Sequence, residues 1–548
     1  MRARMSCLLR ARLSCAHLRG ALAPLDNRLI LVENGGYVVV NLLALWLAFL
    51  PTDRRFGIDS LRAYLRERRA FTLDRFTTRA RPAWMTAPHV SLACFLVLAN
   101  LGIVYVFNAV NKYGTTWREG STVQFVLHLD RMVTGLAVVL REHLPYPLMQ
   151  AAGWLTLVVE ALLAVLILWP EQRLLARPLA MLLMVLLHGS FGVLMRLGPF
   201  SWFMLGWSTL LLQRAHWEAL EAWHRRKFGG LVLTVRPSSP LALAVARVLD
   251  ALEPTDALAF ESGEEDGSIL SVRRGETALR GREATRAVLR ALPLGFVVWP
   301  TLHVATLGQL DRWLRLAATH DATLARWFGL DRRDRRDLGT TTIRIRLGDR
   351  LRIGLREATL GFLLVCALSA LMHDNKSVSS VLKHEQPRPI RATIGYLRVY
   401  QGWGMFAPNP VREDGIGVVE AWTIDGRKID PFTGATPDLD LTDARGLGLG
   451  QIEQDYWNRL RLDRNRVYHQ ALSDFLQRWH RFTGAPNDEL VAFDVWWLRD
   501  KCPEPRRLAP TDHEKICLFG WRKPGHRQPS DFPSIPRRCK EASAEKKD

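Results

Sequence analysis

The sequence predicts an α-helical polytopic membrane domain of about six transmembrane helices. An inserted small α/β unit and an external α+β C-terminal domain complete the predicted fold. Three observations carry this. Apolar runs of spanning length recur between residues 29 and 213, and one more falls at 357–373. Arginine is concentrated in the segments that flank those runs. Short alternating stretches bounded by turn residues lie between and after them.

Composition sets the limits. Of 548 residues, 48% are hydrophobic and only 23% charged, which excludes a disordered chain. Seven cysteines in this length exclude a disulfide-framework protein. Lys and Arg number 74 against 54 Asp and Glu, a net charge of +20. The excess sits beside apolar runs, where anionic lipid and topology account for it, so no nucleic-acid partner is expected.

The runs follow in order. Gly35–Pro51 is short but continuous, and Pro88–Val110 and Pro147–Pro170 are full spans. Pro178–Leu194 and Pro199–Leu212 are split by Arg196-Leu197-Gly198, and Ala358–Met372 is the last. Ala291–Leu310 is apolar but carries His303 and two prolines, so it reads as a soluble core helix or an interfacial one. Val133–Val139 is too short to span and reads as interfacial or re-entrant.

Charge orients the spans. Loop 52–86 has nine arginines against four acids, and 331–356 has another nine. Loop 111–147 has only four basic residues. The positive-inside rule puts 52–86 and 214–356 in the cytoplasm, and 111–147 and everything after 373 outside. Residues 1–28 carry six arginines on the side this topology makes external. An amphipathic surface helix and a further upstream helix both remain open as explanations.

Ionisable groups at membrane depth cost about 2.5–3.5 kcal/mol on insertion scales, so they point to function. Lys112 closes the second span, on one helical face with Tyr105 and Asn108. Glu160 sits within Leu155–Leu168, and His188 within Met181–Leu194. Arg196 lies at the break that follows. The plain alternatives are a snorkelling lysine and polar clamps between helices.

Around these residues the chain reads Asn111-Lys-Tyr-Gly-Thr-Thr-Trp117-Arg-Glu-Gly120, then Leu127-His-Leu-Asp130. Asn34 to Asp59 has a polar start, an apolar span and Phe56-Gly-Ile-Asp59. His188-Gly-Ser-Phe191, Arg196-Leu-Gly-Pro-Phe200 and Trp403-Gly-Met-Phe-Ala-Pro408 follow in order. This succession resembles the HTTM domain membrane protein family, relatives of vitamin K-dependent γ-glutamyl carboxylase, over residues 29–213 with an echo at 388–435.

The resemblance implies an integral, multi-pass protein of a bacterial inner membrane with a reduced quinone as cofactor. In the carboxylases a lysine deprotonates reduced vitamin K and O₂ adds. The strong base that forms takes the γ-proton of a substrate glutamate, and CO₂ captures the carbanion. Lys112 matches that lysine, with Trp117, Glu119 and Gly120 in register. Lys112 would then be the base, and Glu160 and His188 would orient groups or shuttle protons. Asn34, Tyr105, Asn108, Trp117, Glu119 and Arg196 would surround the quinol, and no metal is assigned. Two positions depart from the carboxylases: Asn111 replaces the first of paired lysines, and Gly36 replaces a histidine. The Gly36 replacement, together with the absence of a thiol pair in the inserted unit, favours a rival in which a non-catalytic scaffold, or lipid-handling protein, presents its external domain to a protein partner.

The soluble segments read as mixed α/β. Gly230–Val235 and Ala257–Glu261 are strand-like around a helical Pro240–Leu252, and Ser268–Leu279 forms a hairpin at Arg274-Gly275. This β-α-β-ββ order is thioredoxin-like and resembles the thiol-disulfide oxidoreductase (DCC) domain. The family's Cys-x-x-Cys is absent, since 214–356 has no cysteine, so the unit is degenerate and has no nucleophile for exchange. Farther on, Ile416–Pro431 reads as a hairpin at Asp425-Gly426, Trp457–Trp479 as helical and Glu489–Leu498 as a strand. The tail 522–548 is basic and proline-containing and reads as disordered. Cys502 and Cys517 fall on the predicted external side, where either a disulfide or two free thiols fits.

Overall fold

The computed structural model describes residues 28–68, 89–263, 270–295, 316–327, 347–440, 451–505 and 514–526, apart from positions 29, 33, 53, 55, 56, 172, 280 and 318. The predicted N-terminal segment 1–28 and tail 522–548 lie almost wholly outside the described residues. So do most of Ala291–Leu310 and the arginine-rich stretch 331–346.

The fold is mostly helical, with two four-stranded sheets among the described residues. Among the described residues, four helices are long and apolar enough to cross a membrane: Leu92–Asn111, Tyr146–Leu168, Arg173–Leu194 and Arg350–Asp374. Gly35–Leu47 and Phe200–Leu211 are apolar but shorter. At 1.5 Å per residue, the 13 residues of Gly35–Leu47 extend about 20 Å, against about 30 Å of hydrocarbon.

The chain divides into two compact units. One comprises 1–19, 44–96 and 212–361. Its sheet has the order β2-β1-β3-β4, from β1 (Leu231–Val235), β2 (Leu258–Ser262), β3 (Leu270–Arg274) and β4 (Thr277–Leu279). β1 runs parallel to β2 and antiparallel to β3. The crossover helix Pro240–Leu252 starts with proline at a position that needs no amide donor, and Ser239 Oγ accepts from Ala242 N. Leu231, Leu233, Leu258 and Val272 form the core with Ala287 and Ala291. The predicted loop 52–86 contains a helix, Ile58–Arg68, whose Tyr64 packs on Ala251 and donates to Asp250 Oδ2.

The other unit comprises 20–43, 97–211 and 362–548. Its sheet has the order β6-β5-β7-β8, from β5 (Glu413–Thr423), β6 (Lys428–Ile429), β7 (Leu490–Lys501) and β8 (Glu514–Arg522), all antiparallel. Trp457, Leu460, Leu472 and Leu476, from the helices Gln451–Leu460 and Val467–Gln477, pack on Val419, Phe493, Val495 and Trp497. Cys502 is a buried free thiol and Cys517 is disulfide-bonded, so the Cys502–Cys517 pairing allowed by the sequence does not form.

In this second unit the long helices are apolar on the outside. Leu148, Leu155, Val158, Leu162 and Val165 are exposed along Tyr146–Leu168, and Leu175, Leu179, Leu182, Leu186 and Val193 along Arg173–Leu194. These repeat at helical spacing, while Glu160 and His188 on the same helices are buried. An outer face this apolar suits lipid rather than water.

Candidate functional site

The segment between the first two long helices of this unit is built rather than a plain loop. Three short helices fill it: Thr115–Glu119, Thr122–Leu127 and Gly135–His143. The loop Trp403–Asn409 lies against the first. Gly114 N donates to Pro408 O, and Thr116 N and Oγ1 both donate to Asn409 Oδ1. Gly114 is required by this approach, because a Cβ there would overlap Asn409 Oδ1 and Pro408 O. Trp117 Nε1 donates to Phe406 O at 2.9 Å. Phe406 has φ of 58°, a left-handed conformation that a bulky residue rarely adopts.

Behind this loop lies a cavity of about 610 Å³, within the range of small-molecule sites. Its wall is mainly apolar, with Val126, Phe191, Phe200 and Met204 among its members. Lys112, Glu160, Tyr105, His188, Asn108 and Trp117 line it as well. Six of the nine residues singled out in the sequence thus meet on one cavity.

The polar residues form two pairs. Lys112 Nζ donates to Glu160 Oε1 at 2.5 Å and also contacts Oε2. Both side chains are almost fully buried, and the ammonium lies 4.8 Å from the Trp117 ring centroid. Tyr105 Oη and His188 Nε2 are 2.7 Å apart, and the His188 ring meets Phe191 and Phe200 edge-on. A buried lysine beside a carboxylate can exchange a proton with it at low cost, because the neutral pair needs less solvation than the ionic one.

Three residues of the predicted set are not on the wall. Asn34 turns back on its own chain, where Oδ1 accepts from Gly36 N at 2.8 Å and Nδ2 donates to Asp455. Glu119 is exposed, and its backbone carbonyl accepts from Gln150 Nε2. Arg196 is exposed too, its backbone N donating to Met132 O. The motif positions of Glu119 and Arg196 fix their neighbours, not the direction of their own side chains. At Gly36 a Cβ would come within 2.8 Å of Phe200 N, so a histidine would not fit without a shift.

Asn375 is a central residue that the sequence reading did not single out. Its Oδ1 accepts from Asn111 Nδ2 and Trp403 N, and its Nδ2 donates to Gln401 O and Leu371 O. Asn111 also donates to Trp403 O. Its one sequence signal is a polar residue just past His373 and Asp374, which close the last apolar span. Asn375 thereby ties the end of Leu347–Asp374 to the loop over the cavity.

Away from the spans, the sheet domain carries one clear electrostatic feature. Asp414 is buried and paired with Arg131 at 2.8 Å, and burial outweighs the pairing, so its carboxyl lies above the usual range. No family model matches the chain, and neither a curated protein nor a solved structure matches it.

Proposed function

We propose that the chain is a multi-pass protein of a bacterial inner membrane, of the HTTM and vitamin K-dependent carboxylase-like kind. In this reading it is a quinol-dependent carboxylase- or lyase-type enzyme with Lys112 as its base. The meeting of Lys112, Glu160, Tyr105 and His188 on one cavity carries the proposal. The apolar outer faces of the long helices support entry of a lipophilic ligand from the bilayer. Gly35–Leu47 and Phe200–Leu211 complete six crossings, with the bilayer thinning locally around the shorter two. The β2-β1-β3-β4 order supports a thioredoxin-like origin for the cytoplasmic unit, which lacks thiols and serves structure.

The wall fits a reduced quinone. His188 Nδ1, Thr122 Oγ1 and Asn111 Oδ1 are buried without partners among the described residues, and all three residues line the cavity. They offer polar partners to ring hydroxyls within an otherwise apolar wall. When bound, a quinol supplies an acidic hydroxyl and a route to activated oxygen. Glu160 takes a proton from Lys112 Nζ and leaves a neutral amine, which accepts the hydroxyl proton. Tyr105 fixes the His188 ring through Nε2 and leaves Nδ1 for the ligand. Trp117 and the Trp403–Asn409 loop exclude water.

The rival scaffold reading has one observation of its own. Phe432 and Phe482 are 42% and 65% exposed in an aromatic group with Phe475 and Trp479. Such a patch suits a protein partner.

The test is oxidation of a reduced naphthoquinone by the purified protein, with and without a glutamate peptide and labelled bicarbonate. Lys112-dependent oxidation with label incorporated means a carboxylase. Oxidation without label means another acceptor. No oxidation with any quinone favours the scaffold.

A further inference from the structure

The helix Arg214–Phe228 directly follows the apolar helix Phe200–Leu211 in the chain. Its Trp217, Leu220 and Trp223 are 44%, 48% and 46% exposed, although they share a side with the buried His224. This side borders a groove of about 540 Å³, which Leu289, Leu292 and Pro293 also line. Two of its polar side chains engage each other and a neighbouring carboxylate. His224 Nδ1 and Thr255 Oγ1 are 2.8 Å apart, and Thr255 Oγ1 donates to Glu253. A wall of this kind takes a hydrocarbon chain rather than a polar metabolite.

A cationic side chain stands beside aromatic residues of this groove. Lys227 Nζ lies 5.0 Å from the Trp223 ring centroid and 5.5 Å from that of Phe228, two residues of the groove. Arg290 and Glu221 line the groove itself. Arg225 and Arg226 are exposed beside Lys227. An apolar slot with cations at its edge complements an anionic amphiphile.

We propose that this groove holds one acyl chain of an anionic phospholipid from the cytoplasmic leaflet, with the phosphate between Lys227 and Arg290. The proposal rests on the multi-pass reading. It gives the inserted unit a function its missing thiols do not: lipid-dependent attachment to the membrane surface.

The test uses the full chain in nanodiscs doped with a phospholipid bearing a photoreactive acyl chain, as phosphatidylglycerol or as phosphatidylcholine. Cross-linked peptides are mapped by mass spectrometry. The phosphatidylglycerol probe is expected to label 217–228 and 289–293, and the phosphatidylcholine probe much less. Lys227→Gln and Arg290→Gln should each lower that labelling about fivefold. Labelling of the exposed face of Tyr146–Leu168 reports separately on the multi-pass reading. If that face is labelled and the groove is not, the proposal falls alone. Equal labelling of the groove by both headgroups, unchanged in the variants, also overturns it. Labelling of neither site overturns the membrane reading beneath it.

Discussion

Lys112 and Glu160 meet as a buried ion pair, the lysine Nζ against both carboxylate oxygens across 48 residues of chain. Removing one partner of such a pair strands the other charge, which costs about 3–5 kcal/mol. Lys112→Met and Glu160→Met should therefore each lower the thermal midpoint in detergent. The double variant should recover most of the loss, because it leaves no charge alone. Activity should stay absent in all three. A double variant no more stable than either single one would contradict this account of the pair.

Gly114 is set where the chain touches the Trp403–Asn409 loop. Gly114→Ala should displace that loop, cost about 1–3 kcal/mol and weaken ligand retention. Gly135→Ala is the control, since a Cβ there meets nothing within 4 Å. Equal stability of the two variants in thermal unfolding would exclude the predicted overlap.

Asp250 gives the inserted unit a pH dependence. Burial, with Glu253 and Asp256 nearby, raises its carboxyl to about 7. The folded state then holds a proton that the unfolded state has released above about pH 4. This stabilisation is complete below pH 4 and is lost as pH rises to about 7, a change on the order of 4 kcal/mol. Stability of this unit should fall from pH 4.5 to 7.5, and Asp250→Asn should flatten the fall. A wild-type curve parallel to that of Asp250→Asn would refute the assignment.

Cys502 should resist alkylation. It is buried beside Phe125 and Leu129, and burial with Asp414, Asp500 and Asp130 nearby pushes its thiol up to about 12. At pH 8 it should react with iodoacetamide only after denaturation. Fast labelling of the native protein, read by peptide mass, would mean that this part of the domain opens readily.

Much of the site was legible because it depends on local rules. Helical spacing put Tyr105, Asn108 and Lys112 on one face, and the cost of burying charge singled out Glu160 and His188. The first seven strands followed from alternation and turn residues, as at Arg274-Gly275 and Asp425-Gly426, whereas β8 did not. What sequence did not reveal depends on long-range packing. Asn375 and the Trp403–Asn409 loop reach the cavity from more than 260 residues beyond Asn111. The end of the first apolar helix at Leu47, before Pro51, was hidden because hydropathy counts apolar residues without locating the helix end. Side-chain direction separated Glu119 and Arg196 from their motif neighbours, and no spacing rule predicts that at the end of a five-residue helix or at the break between two helices.

The most direct measurement is binding of a reduced naphthoquinone to the protein in nanodiscs by equilibrium dialysis. Wild type would be run beside Met204→Trp, which fills the cavity, and Leu162→Trp, which enlarges an exposed side chain on the outer helix face. The account predicts saturable binding by wild type and Leu162→Trp, and at least tenfold weaker binding by a folded Met204→Trp. Equal uptake by all three, rising linearly with lipid, would show that the quinol partitions only into the bilayer and would contradict a site at Lys112.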